Sequence, residues 1–160
     1  MYKPFYSICL FAALSLSVLS YAQQRPIGVF DSGTGGLTVL EAMLALDVFN
    51  NKTGEQKPDG IPDFSGEYFH YLADQANMPY GNYAAAGKTA FLKEQILRCM
   101  KFLSVDTTYS IKKETTYVLQ PKLTAKMIVV ACNTATAYAL PDIKKSVDSN
   151  IPVVGVIDAG

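Results

Sequence analysis

A thiol at residue 132 closes an apolar run, and a helix-forming segment follows it directly: AKMIVVACNTATAYAL, residues 125–140. A cysteine at a helix N-terminus sits in the positive end of the helix dipole, beside backbone N–H groups that have no partner within the helix. Both features favour the thiolate, the form that acts as nucleophile and base. The same N–H groups, with the side chains of Asn133 and Thr134, are able to hold a carboxylate. A thiolate next to a carboxylate cradle suits chemistry at the carbon bonded to that carboxylate. The competing reading of Cys132 is a small apolar residue packed at a strand end.

Two further loops bear on this chemistry. DSGTGG (31–36) has the glycines for tight turning and close approach of backbone to a ligand, but neither the G-x-G-x-x-G nor the Lys-Ser/Thr of a phosphate-binding loop. Asp31 places a carboxylate there, which fits an ammonium group or a partner acid/base. The alternative is that Asp31 or Ser32 caps the helix that follows. PYG (79–81) is weaker, since Pro-aromatic-Gly is a common turn. A cysteine hydrolase needs a histidine to activate its thiol. The single histidine, His70, lies within EYFHYLA and reads as a packed strand residue. Ligands at zinc spacing are lacking, so no metal is expected.

These loops need a scaffold, and the hydrophobic pattern supplies one. PIGVF (26–30), EYFHYLA (67–73), MIVVA (127–131) and IPVVGVI (151–157) read as strands. LTVLEAMLALDVF (37–49) and AGKTAFLKEQILRCMKFL (86–103) have helical spacing, and the segment at 134–147 reads as a helix interrupted at Pro141. Short apolar strands alternating with amphipathic helices predict an α/β fold, a doubly wound three-layer parallel sheet with helices on both faces. Ligands in such sheets gather where strand C-termini run into loops, which is where DSGTGG, DQANMPYGNY and CNTAT fall. Residues 50–66 form a polar Gly/Pro loop, in which the Asn51-Lys52-Thr53 sequon is read as chance. Within 104–124, TTYSI and TTYVL flank KKE and read as an inserted hairpin, with a disordered loop as the alternative.

The composition is that of one globular domain: 160 residues, 49% hydrophobic, with 14 basic and 14 acidic side chains. Zero net charge, without basic runs, gives no footing for nucleic acid. Residues 4–22 carry no charged side chain and end in Ser20-Tyr21-Ala22, a small-x-small cleavage pattern. Residues 1–22 therefore read as a signal peptide and 23–160 as an exported, periplasmic domain without stable membrane insertion; an uncleaved anchor is the alternative. Loss of Cys9 leaves Cys99 and Cys132. Cys99 falls on a helical pattern and reads as a small buried hydrophobe rather than a disulfide partner.

Four blocks, GVFDSGTGGLTVL (28–40), YLADQANMPYGNY (71–83), MIVVACNTATAYAL (127–140) and IPVVGVID (151–158), resemble in order the cofactor-independent aspartate/glutamate racemase family, and glutamate racemases within it. The resemblance implies that one cysteine thiolate removes the α-proton of glutamate while a second thiol delivers a proton to the opposite face, without cofactor. Carried over, Cys132 is the first base and Asp31 assists it or binds the substrate ammonium. Ser32, Tyr80, Gly81, Asn133 and Thr134 contact substrate. The implied partner is a small-molecule amino acid, glutamate, with D-glutamate destined for peptidoglycan, and a homodimer is compatible with the family. Two departures stand out. The family's second cysteine, followed by Thr and His, belongs to a later domain, and no such segment occurs before Gly160. The segments 50–66 and 104–124 are extra. These features read as the N-terminal part of a longer exported racemase-like protein, inactive alone. The alternatives are a non-catalytic amino-acid-binding domain, or a racemase for aspartate or a hydantoin.

Overall fold

A computed structural model describes residues 25–111 and 116–157; the signal-peptide segment with Cys9, the Lys-Lys-Glu turn at 112–114 and Asp158 lie outside the described residues. Strand β1 (Ile27–Asp31) is followed by α1 (Gly36–Ala45), β2 (Phe69–Ala73), a 3-10 turn (Gln75–Asn77), α2 (Gly81–Ala85) and α3 (Thr89–Ser104). A hairpin of β3 (Thr107–Ile111) and β4 (Tyr117–Pro121) precedes β5 (Met127–Val130), α4 (Asn133–Ser146) and β6 (Val153–Gly155).

The main sheet runs in the order β2-β1-β5-β6, with every neighbouring pair parallel. Its two central strands are the continuous apolar runs IGVF and MIVV, as expected of strands covered on both faces. Alternation along them sorts the core. Phe30, Ile128 and Val130 meet Leu92, Ile96, Met100 and Leu103 of α3 and Ala135, Ala139 and Ile143 of α4. On the opposite side, Ile27, Val29, Val129 and Ala131 meet Val39, Leu40 and Met43 of α1. Helices thus cover both faces, and the expected three-layer parallel architecture is present. Each fully buried Leu, Ile, Val or Phe side chain contributes about 1.5–3 kcal/mol, so this double core is the main stabilising term.

Three expectations are corrected. The first helix stops at Ala45 rather than 49, because the loop beyond it captures the chain. Asp47 accepts from the N–H groups of Asp59 and Gly60, and Asp63 from those of Val48 and Phe49. Carboxylates that offer such bonds compete with helix continuation. The helix expected from 86 begins at Thr89, since Gly87 takes a left-handed φ of 70° and separates α2 from α3. Finally, α4 passes through Pro141 without interruption. Pro141 is exposed while Ala139, Leu140 and Ile143 on either side are buried, so packing against α3 overrides the loss of one helical hydrogen bond. An ion pair of 2.7 Å between Lys93 and Asp142 also joins the two helices. Solvent screens this exposed pair, so the apolar packing rather than the charge holds the two helices together.

The hairpin at 107–121 is formed, with Tyr109 paired to Leu119. Cys99 and Cys132 are both free thiols.

Candidate functional site

In the order β2-β1-β5-β6, the connection leaving β1 runs to one side of the sheet and that leaving β5 to the other. Between the C-termini of these two strands lies the switch point, where open parallel sheets place ligands. A cavity of about 380 Å3, open to solvent, occupies it, lined by Asp31, Ser32, Gly33 and Gly35 after β1 and by Cys132, Asn133 and Thr134 after β5, with Thr38 and Val156 at its margin. Its size falls within the range of roughly 300–1,000 Å3 typical of small-molecule sites.

Cys132 is the N-cap of α4, with extended backbone (φ −83°, ψ 115°), and its sulfur accepts from the Ala135 N–H at 3.4 Å. The side chain is 4% exposed. Its thiol donates to Ser32 Oγ at 3.4 Å. The sulfur thus makes one accepted and one donated hydrogen bond, to partners on α4 and on the loop after β1. Thr136 fixes the turn by donating to the Cys132 carbonyl at 2.9 Å.

Asp31 is buried at the end of β1, where its Oδ2 accepts from the Gly36 N–H at 2.7 Å. The capping role considered for it is therefore real, and it coexists with a place in the cavity wall. Gly36 is required by this contact. A Cβ there would lie 2.7 Å from Asp31 Cβ and 3.0 Å from Ala131 Cβ.

The structure therefore unites Cys132, Asp31, Ser32, Asn133 and Thr134, and leaves Tyr80 and Gly81 out of the cavity. Tyr80 is 1% exposed, its ring packed near Phe30 and Tyr83, and its hydroxyl donates to Asp74 at 2.6 Å. Asn77 donates to the same carboxylate, so Asp74 gathers the 74–80 loop into a closed unit. Burial first, then the Asp74 hydrogen bond, raises the Tyr80 pKa far above that of an ordinary phenol. Gly81 opens α2 on the surface. A buried phenol bonded to a carboxylate makes Tyr80 a support of the loop, with its hydroxyl turned to Asp74.

Cys99 is half-buried on α3, in a separate hollow with Leu72, Asp74, Gln95 and Phe102. Burial, followed by the Asp74 charge, pushes its thiol up to about 11. His70 is exposed on β2 rather than packed, and lines a hollow with Pro26, Tyr68 and Leu123 where the strands begin, at the opposite end from Cys132. Among the described residues, no group of three or more His, Cys, Asp or Glu side chains is placed to hold a metal ion.

Sequence reasoning missed Tyr71. Its hydroxyl donates to the Gly33 carbonyl at 3.1 Å and lies beside Asp31. The register Val29↔Tyr71, which the sequence does not display, sets the ring on the same sheet face as Asp31.

No protein-family model matches the chain. It is 37% identical over 134 residues to the glutamate racemase of Aquifex pyrophilus, covering 84% of this chain and 37% of that protein. With the glutamate racemase of Chlorobaculum tepidum it shares 36% identity over 139 residues, 87% of this chain and 37% of that one. Among solved structures it resembles glutamate racemase from Francisella tularensis subsp. tularensis SCHU S4 in complex with D-glutamate, at a TM-score of 0.56 and 29% identity, covering 86% of this chain and 38% of that chain. The chain spans about a third of the length of the curated relatives it matches. It is a homologue of the glutamate racemases, in sequence and in fold, over that third of their length.

Proposed function

We propose that this chain forms one half of the active site of a cofactor-independent amino-acid racemase acting on glutamate. The observation that carries the reading is the seat of Cys132: a thiol at a helix N-cap, accepting from the Ala135 N–H and bonded to the Ser32 hydroxyl, at the switch point of a parallel sheet. The substrate α-carboxylate would rest on the first turn of α4 with Asn133 and Thr134. The ammonium group would face Asp31. Cys132 as thiolate then takes the α-proton, the C–H bonding pair stays on carbon as the carbanion, and the thiolate becomes a thiol. A second acid on the opposite face protonates the carbanion and completes the inversion; the two groups exchange roles in the reverse reaction. Preorganised donors around the carboxylate lower the energy of the carbanion where charge develops. Similarity to a glutamate racemase solved with D-glutamate supports the substrate class, and D-glutamate for peptidoglycan is the use that fits.

The test is racemisation of D-glutamate by the full product of the gene, followed as loss of optical rotation. The reading expects both enantiomers at equilibrium. Binding of glutamate without any interconversion would contradict it and favour a non-catalytic amino-acid-binding domain.

A further inference from the structure

The Ser32–Cys132 contact depends on a loop that has little intrinsic reason to stay in place. Ser32 begins a stretch in which three of the next four residues are glycine, and glycine leaves the backbone unusually free. Upstream, the loop is tied to β2 by the Asp74 N–H, which donates to the Asp31 carbonyl at 3.0 Å. Asp31 itself is tied to Gly36 at 2.7 Å. Immediately downstream of Ser32, the Gly33 carbonyl receives the Tyr71 hydroxyl from the neighbouring strand at 3.1 Å. Ser32 is thus held from both sides.

We propose that Tyr71 is a positioning residue for Cys132: by holding the Gly33 carbonyl, its hydroxyl fixes the Ser32 hydroxyl against the sulfur. The ring supports this placement by packing against the buried cluster of Ile27, Val29, Val129 and Ala131, which α1 also covers. Burial, then the Asp31 charge, raises the Tyr71 pKa, so the phenol stays a neutral donor as pH rises. The titratable groups facing Cys132 are Asp31 from β1, Tyr71 from β2 and Tyr80 at the start of α2, while the first turn of α4 carries no acidic residue. The brace therefore acts through a neutral hydroxyl rather than an added charge.

This inference deepens the proposed reading of Cys132, but its test reads thiolate directly and does not require turnover. The pH profile of alkylation by iodoacetamide at Cys132 is measured by peptide mass spectrometry in the full chain, with Cys99 as internal reference. Ser32→Ala and Tyr71→Phe are each expected to slow Cys132 labelling at neutral pH by about three- to tenfold, the effect of one lost hydrogen bond, with the difference closing at high pH. In the double variant, Tyr71→Phe should add nothing to Ser32→Ala. The proposal is overturned if Tyr71→Phe leaves the Cys132 profile unchanged, if the two effects simply add, or if Cys99 labelling changes in step with Cys132. Loss of racemisation with this labelling pattern intact would count against the catalytic reading alone.

Discussion

Cys132→Ala should lower glutamate racemisation by the full gene product by roughly 10²–10⁴-fold or more, the usual contribution of a positioned acid/base. The substitution removes the one thiol that lines the cavity among the described residues, and no other cavity residue replaces it. Asp31 is already bound to Gly36 at the floor of the site, and the Ser32 hydroxyl is far too weak an acid to form an oxyanion at neutral pH. The fold should survive. Alanine forfeits the sulfur that accepts from Ala135 and, with it, about 1 kcal/mol of N-cap stabilisation. Cys132→Ser retains the cap and should be nearly as inactive, which separates loss of the thiolate from loss of the helix terminus. Rates come from chiral chromatography, and circular dichroism checks folding. Retention of more than a tenth of wild-type activity in either variant would remove Cys132 from its proposed role.

Residues 23–160 on their own should carry out no multiple-turnover inversion of glutamate. Inversion needs an acid on each face of the α-carbon. The second thiol of the described residues, Cys99, opens into a different hollow beside Asp74, and burial pushes its pKa up to about 11. At neutral pH it is protonated, but it is turned away from the Cys132 cavity. The cavity is also open to solvent, and water weakens the electrostatic stabilisation of a carbanion. Addition of the chain that corresponds to the remaining two thirds of the relatives, with a cysteine facing Cys132, should produce turnover. The result that would refute this is sustained, Cys132-dependent racemisation by residues 23–160.

What could be read in the sequence was mostly local. Cys132, Asn133 and Thr134 were legible because an apolar strand and a helix adjoin at one residue, and Asp31 and Ser32 because a Gly-rich loop follows the first strand. Helices on both faces followed from the alternation of the two patterns. Tyr71 was not legible, because its role depends on the register between β1 and β2, and register across a parallel pair leaves no local signature. Tyr80 was read as a substrate contact from a resemblance; the fate of its hydroxyl was decided by Asp74, six residues away and brought close by the turn. The end of α1 depended on Asp63, and continuity through Pro141 on the packing of α4 against α3. Each is a tertiary effect overriding a local preference.

The proposed role of Cys132, as one of two bases on opposite faces of the substrate carbon, can be read from hydrogen exchange. The most direct test is racemisation of L- or D-glutamate in deuterated water, with the α-position of both enantiomers analysed early in the reaction. Two bases predict that solvent deuterium enters the product enantiomer while the remaining substrate keeps its hydrogen, and that Cys132→Ala forms no labelled product of inverted configuration. Rapid deuterium entry into the unreacted substrate of the wild type without inversion, or labelled product of inverted configuration from Cys132→Ala, would contradict it.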